Sequence, residues 1–317
     1  MANPVYLVTG GCGFIGSHLV DRLLNAGCRV RVLDDLSTGR RENLAPQADL
    51  TVGDVTHAAT LERALDGVDG CFHLAAVASV ARCNDDGPGT HAVNQSAAVS
   101  LFELARPDSL DIPVVYASSA AVYGHATNLP IGERGPLDPV SAYGADKLGC
   151  ELHARAGATV HGLRAMGLRF FNVFGPRQDP TSPYSGVISI FADRLARGLP
   201  ITIFGDGEQS RDFIYVADVV EFLVRAMERT GATSRTGGHA EVFNVCTGRA
   251  TSVCELARTL GRLVHRRPEI RHATAREGDI RHSRGAPGAA EAALGHRAVF
   301  GLDDGLARLL DRMEVLT

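Results

Sequence analysis

"VTGGCGFIG", residues 8–16, sets Gly10, Gly13 and Gly16 at three-residue spacing between a β-rich apolar run and a helical one. Glycine at such positions permits a tight turn and lets the backbone approach a pyrophosphate, which the following helix N-terminus then stabilises. The turn alone is a weak signal, and its setting strengthens it. The next strand-like run, "RVRVLDD" (29–35), closes on Asp34 and Asp35, where a carboxylate can accept from the hydroxyls of an adenosine ribose. An acid there repels a 2′-phosphate and so favours NAD over NADP, while the nearby Arg40 and Arg41 keep the phosphorylated cofactor open. Asp54, after "LTVGD" (50–54), can accept from an adenine amino group or simply form a turn.

Outward from this turn the first half of the chain alternates strands and helices. "VYLVTG" (5–10), "GCFHLAA" (70–76) and "IPVVYASS" (112–119) join the two runs above as strands, with helical spacing between them. Strands apolar nearly throughout, separated by helices, imply an α/β fold with a doubly wound, Rossmann-type parallel sheet covered on both faces. A Gly/Pro-rich stretch begins near residue 172, and helical runs follow at about 187–197, 215–229 and 252–265. The expected organisation is a nucleotide-binding domain over 1–171, rejoined by about 212–247 through the strand-like "EVFNV" (241–245). A smaller α/β substrate-binding domain over 172–211 and 248–317 completes it.

The bulk numbers bound the function. At 317 residues, 45% hydrophobic and 21% charged, the chain has the composition of a soluble globular protein. A net charge of −4 without a Lys/Arg cluster argues against a nucleic-acid partner. No apolar run reaches membrane-spanning length and "MANPVYLVTGG" lacks a charged leader, so a cytoplasmic location is expected. Seven cysteines, odd in number and without CxxC spacing, read as buried thiols rather than metal ligands or disulfides.

"SAYGADK" (141–147) holds the only lysine in the chain. Tyr143 and Lys147 stand at i and i+4 on a helical stretch and so share a face. An ammonium held close favours the phenolate that a tyrosine base requires. The compact lysine head can also donate to a ribose hydroxyl, a task that the wide arginine fork fits badly. Ser119, ending "VVYASS", offers a further hydroxyl to the reacting oxygen.

These runs, with "DDLSTGRREN", "GDV", "HLAAVASV", "YASSAAVYG", "YGADK", "LRFFNVFGPRQ", "GDGEQSRDFIYVADVV" and "REGDIRHS", resemble the extended short-chain dehydrogenase/reductase family, and within it the nucleotide-sugar epimerases. The resemblance runs in order along nearly the whole chain and thins after about residue 283. It implies NAD as cofactor, a UDP-sugar as substrate, and Ser119, Tyr143 and Lys147 as the catalytic set. It further implies cofactor contacts from Gly10, Gly13, Phe14, Ile15, Gly16, Asp34, Asp35, Ser37, Thr38, Asp54, Val55, Leu74, Ala75, Ala76, Asn94, Ser118, Tyr143, Lys147 and Phe170. Substrate contacts are implied for Ala78, Ser79, Ser119, Asn172, Val187, Phe204, Arg211, Arg276 and Ser283. A homodimer through helices at about 86–105 and 141–157 is the family's habit.

The implied reaction is a UDP-hexose 4-epimerisation by transient oxidation at C4. Related dehydratases carry Asp-Glu directly after the serine; here Ala120 and Ala121 cannot transfer protons, which argues against dehydration. Decarboxylase, 4-reductase and UDP-glucuronate epimerase readings stay open. A non-catalytic NAD sensor would be free to lose Ser119, Tyr143 or Lys147, and all three are present. Small residues at Ser283, where hexose-restricted epimerases carry tyrosine, and at Ala78, where some carry lysine, lean toward acceptance of N-acetylhexosamines.

Overall fold

The computed structural model describes residues 3–179, 186–233, 238–275 and 280–313. Its centre is a seven-stranded sheet, ordered His239–Val245, Arg164–Phe170, Val114–Ser119, Gly70–His73, Val5–Thr9, Arg29–Asp34, Asp49–Val52. Every neighbouring pair in it is parallel. The strands end somewhat earlier than the apolar runs suggest: the fourth stops at His73, and residues 74–76 become loop.

Alternate side chains along the strands feed two helical layers. Val8, Val32, Phe72, Val115 and Met166 pack with Leu19 and Leu23 of the helix Phe14–Asn25 and with Phe222 and Leu223 of the helix Val216–Ala232. Leu7, Leu33, Cys71, Val114 and Tyr116 pack the other way, against the helices Ala58–Leu65, Ala97–Leu104 and Ala142–His161. A separate apolar cluster joins the helices Val187–Ala196, Val253–Leu263 and Leu302–Arg312 to the strand Ile201–Phe204, which pairs with Ile270–Ala273.

The strand Arg164–Phe170 carries no clean apolar signature, because Gly167, Arg164 and Arg169 interrupt it. Both arginines are buried nonetheless, each against a carboxylate: Arg164 with Asp111 at 3.0 Å and Arg169 with Glu151 at 2.6 Å. Buried pairing, rather than alternation, lets this strand stand between two others. The helix expected over 86–105 is likewise broken, into Gly87–His91, a π turn Ala92–Ser96 and Ala97–Leu104. Asn94 explains the break, since its amide reaches out to both the N–H and the carbonyl of Val77 at 2.8 and 3.2 Å. Among the described residues no helix is long and apolar enough to cross a membrane.

Candidate active site

In open α/β sheets, ligands bind beyond the carboxyl ends of the strands, where the strand order reverses. Here the order reverses between Val5–Thr9 and Gly70–His73, and the glycine turn and the loop 74–76 leave those two strands. They touch so closely that side chains are excluded. Gly10 has φ +70°, and a Cβ on it would lie 2.8 Å from the Ala75 nitrogen. A Cβ on Gly16 would lie 2.1 Å from the Gly10 carbonyl oxygen, inside contact distance. Gly13 caps the helix Phe14–Asn25 without any side-chain bond to its first N–H groups, which are left for a ligand. Phe14 and Ile15 lie at that helix start, packed partly onto the apolar clusters behind it.

Asp34 is buried, and its oxygens accept the N–H groups of Cys12 and Leu36, both at 2.9 Å. Burial raises its pKa against the pull of these two bonds. The carboxylate thus ties the glycine turn to the second strand, and its remaining lone pairs can take ribose hydroxyls. Asp35 is exposed and accepts from the Ser37 N–H and hydroxyl; Thr38 is exposed beside them. Asp54 accepts the Thr56 N–H at 2.8 Å, the geometry of a turn-forming acid. Arg40 is engaged with Asp179 at 2.8 Å.

Leu74, Ala75 and Ala76 form the opposite lip, partly buried, with the Ala75 N–H on the Thr9 hydroxyl. The side chains of Val55 and Phe170 turn into the core, and that of Ser118 turns down to donate to Glu151. Asn94 is buried and spent on Val77.

Ser119 ends its strand and its hydroxyl accepts the Ala121 N–H, capping the 3-10 turn Ala120–Tyr123. The helix Ala142–His161 starts at Ser141, whose hydroxyl accepts the Gly144 N–H, and stops at Gly162, φ +75°. Gly144 sets the approach: a Cβ there would lie 2.6 Å from the Ala121 carbonyl oxygen. A missing side chain therefore brings Tyr143 up to the turn that begins at Ser119. Lys147 is 3% exposed, with Nζ 5.8 Å from the centre of the Tyr143 ring. Its ammonium makes no ion pair among the described residues. A lysine buried along its length with no ion-pair partner is naturally complemented by a polar ligand at its head. The glycine cradle, the uncapped helix start, Asp34 and this ammonium together fit a dinucleotide.

Two groups escaped sequence reasoning. His73 is buried, bonded through Nδ1 to the Thr9 hydroxyl at 2.9 Å, with Nε2 unpartnered. Burial, helped by the nearby Lys147, pushes its pKa down to about 3, so it is neutral. Asp212 is fully buried, and its carboxylate accepts from the N–H and hydroxyl of Thr247 and from the N–H groups of Gly248 and Gly285. Its place directly after Arg211 was the only available signal.

The substrate candidates gather around Asp212 through backbone bonds. The Asn172 N–H donates to the Asp212 carbonyl at 3.0 Å, and its side chain is exposed. Arg211 lies on the two-residue strand Ser210–Arg211, paired with Thr251–Ser252. The Ser283 N–H donates to the Ser210 carbonyl at 3.0 Å, so Ser283 and Arg211 are neighbours. Val187 begins the helix Val187–Ala196, and both it and Phe204 are partly exposed. Across the cleft Ala78 is exposed, whereas the Ser79 hydroxyl caps the helix Val80–Asp85 by accepting the Arg82 N–H. Arg276 lies outside the described residues.

A family model described as "NAD dependent epimerase/dehydratase family" matches residues 6–246. The chain is 37% identical to a UDP-glucose 4-epimerase of Mycolicibacterium smegmatis, across 96% of this chain and 97% of the relative. It is similar in structure to a UDP-N-acetylglucosamine 4-epimerase from Methanobrevibacter ruminantium in complex with UDP-N-acetylmuramic acid. That match has TM-score 0.91 and 33% identity, and covers 100% of both chains. It is also similar to a Thermus thermophilus UDP-glucose 4-epimerase complexed with NAD, at TM-score 0.88 and 33% identity over 98% and 99% of the two chains.

Proposed function

This chain belongs to the NAD dependent epimerase/dehydratase family, and from that premise we propose that it inverts C4 of UDP-hexoses. It interconverts UDP-glucose with UDP-galactose and UDP-GlcNAc with UDP-GalNAc. It is an NAD-dependent isomerase. The observation that carries the choice of reaction is the pairing of a buried Lys147, without an ion pair among the described residues, beside Tyr143 with Ala120 and Ala121 just after Ser119. That set can move one proton at one hydroxyl and has no second acid for elimination.

NAD, when bound, supplies a hydride acceptor that also returns the hydride. Gly10, Gly13, Gly16 and Asp34 hold its adenosine diphosphate end, and Lys147 donates to the ribose at its other end. Lys147 stabilises the phenolate form of Tyr143, and that phenolate takes the proton from the 4-hydroxyl of the sugar to become a neutral phenol. Ser119 donates to the same sugar oxygen as it becomes a carbonyl. Arg211, with Arg276, binds the diphosphate of the substrate, where a guanidinium fork suits paired oxygens. Ser283 and Ala78 leave the sugar room to turn over and accommodate a 2-acetamido group.

The cofactor sits on 1–171 with 212–247, and the substrate on 172–211 with 248–317. The working unit is a homodimer: Leu152 and Val160 lie 46% and 70% exposed on the helix Ala142–His161, the face a four-helix contact would cover. Incubation with UDP-GlcNAc and UDP-glucose, followed by proton NMR of the anomeric signals, tests the reading. Both are expected to give their 4-epimers; loss of water instead, or no epimer from either, would replace the reading.

A further inference from the structure

Lys147 shares its helix face with a carboxylate one turn further on, Glu151, and the i, i+4 spacing ordinarily pairs two such residues. They are not paired here. Glu151 is 6% exposed, and Arg169 grips it from the neighbouring strand with Nη2–Oε2 at 2.6 Å and Nε–Oε1 at 2.8 Å. The Ser118 hydroxyl donates to the same carboxylate. Arg169 is itself held by the Tyr123 hydroxyl at 2.7 Å and the Glu133 carbonyl at 2.9 Å. Tyr123 donates onward to Asn244 on the edge strand. Asp146, the residue before Lys147, is bonded through Oδ1 to His91 Nδ1 at 2.7 Å, while its buried Oδ2 has no hydrogen-bond partner among the described residues.

We propose that Arg169 diverts Glu151 from Lys147, so that the single ammonium of the cleft stays free for the cofactor and Tyr143. This rests on the reading of Lys147 as the ribose-holding residue. A bidentate guanidinium outcompetes one ammonium for a buried carboxylate because it meets both oxygens in fixed geometry. Without it, Glu151 would be a buried carboxylate in search of a cation; Lys147 and Arg155 each stand four residues away on its helix, and of the two Lys147 is the buried one. Arg169 and Glu151 are therefore positioning residues: neither faces the cleft, and both decide what Lys147 is bonded to.

The test is a charge cycle read by NAD binding in calorimetry, independent of turnover. Arg169→Gln is expected to weaken NAD by about tenfold, because the released carboxylate captures Lys147. Adding Glu151→Gln to that variant should bring affinity back to within roughly threefold of the parent, because a neutral pair leaves the ammonium alone. Arg169→Lys keeps a cation for Glu151 and should also stay within roughly threefold. Because the chain has one lysine, 13Cε-lysine labelling gives a single side-chain signal. That signal should shift on NAD addition in the parent, the double variant and Arg169→Lys, but not in Arg169→Gln. Unchanged affinity in Arg169→Gln, or equal loss in the double variant or Arg169→Lys, overturns the proposal. If Arg169→Gln does not fold, the other two decide it: tenfold weaker NAD in either defeats it. Absence of epimerisation in the parent would remove the functional reading while leaving the binding cycle interpretable.

Discussion

Around Gly10, Gly16 and Gly144 a single added methyl has nowhere to go, whereas around Ala78, Asn172 and Ser283 the cleft is edged by small or exposed side chains. The side proposed for the cofactor is fixed by backbone against backbone and by buried groups such as Asp34 and Lys147. On the side proposed for the substrate, which has its own apolar core, the segments that edge the cleft are joined by a two-residue strand pairing, an isolated bridge and bonds to one buried carboxylate, Asp212. The difference matches the chemistry of a reversible epimerisation. A resident cofactor wants one geometry, while a sugar that must present both faces of C4 wants several.

Variants on the rigid side should act most strongly. Tyr143→Phe removes the proton acceptor and is expected to lower kcat by about 10³-fold with NAD binding retained, measured by turnover and calorimetry. A folded variant with near-parental turnover would take Tyr143 out of the mechanism. Lys147→Arg keeps the charge but not the compact head, and a kcat loss of roughly 100-fold is expected. Gly16→Ala forces a Cβ to within 2.1 Å of the Gly10 carbonyl. It should cost about 3 kcal/mol in urea unfolding and abolish NAD retention. Ordinary stability there would mean that the cradle is looser than the contacts imply.

His73 gives the rigid half a pH signature. Its pKa is held near 3, against 6.5 for the exposed side chain, so below pH 6.5 the unfolded chain binds a proton that the native state refuses. Stability is therefore full above pH 6.5 and falls with pH toward 3, by about 2 kcal/mol at pH 5 from this residue. His73→Gln should flatten that slope in urea titrations at pH 7 and pH 5. An identical slope in the variant would assign the acid loss to other groups. The smallest effect belongs to the loose half. Ser283→Tyr should reduce UDP-GlcNAc turnover about tenfold relative to UDP-glucose by filling the space of the acetamido group. Equal loss on both substrates would dismiss Ser283 as a size gate.

How much was legible in the sequence follows the same division. The glycine turn, the acid ending the second strand and the tyrosine–lysine spacing are local patterns, and each needs only its own helix or turn to be read. The alternating parallel-sheet core was legible for the same reason, being written as near-continuous apolar runs. The strand Arg164–Phe170 was not, because its two arginines are neutralised by Asp111 and Glu151, far away in sequence. Asn94 broke a helix that spacing alone would continue, through a bond to Val77 on another segment. The thiol count pointed to buried cysteines, and all but Cys28 are buried, none in a disulfide. The side proposed for the substrate was least legible, since Asn172 and Ser283 are brought to the segment Ser210–Asp212 by backbone bonds, which carry no side-chain signature.

The central claim is that one hydride leaves C4 and returns to the same carbon on its other face, with the proton handled by Tyr143. UDP-glucose deuterated at C4, incubated with the protein and NAD in ordinary water, tests it most directly by NMR of the product. UDP-galactose with the deuterium still at C4 is the expected product. Epimer that has lost its label to water, or no epimer from either UDP-glucose or UDP-GlcNAc, would contradict it.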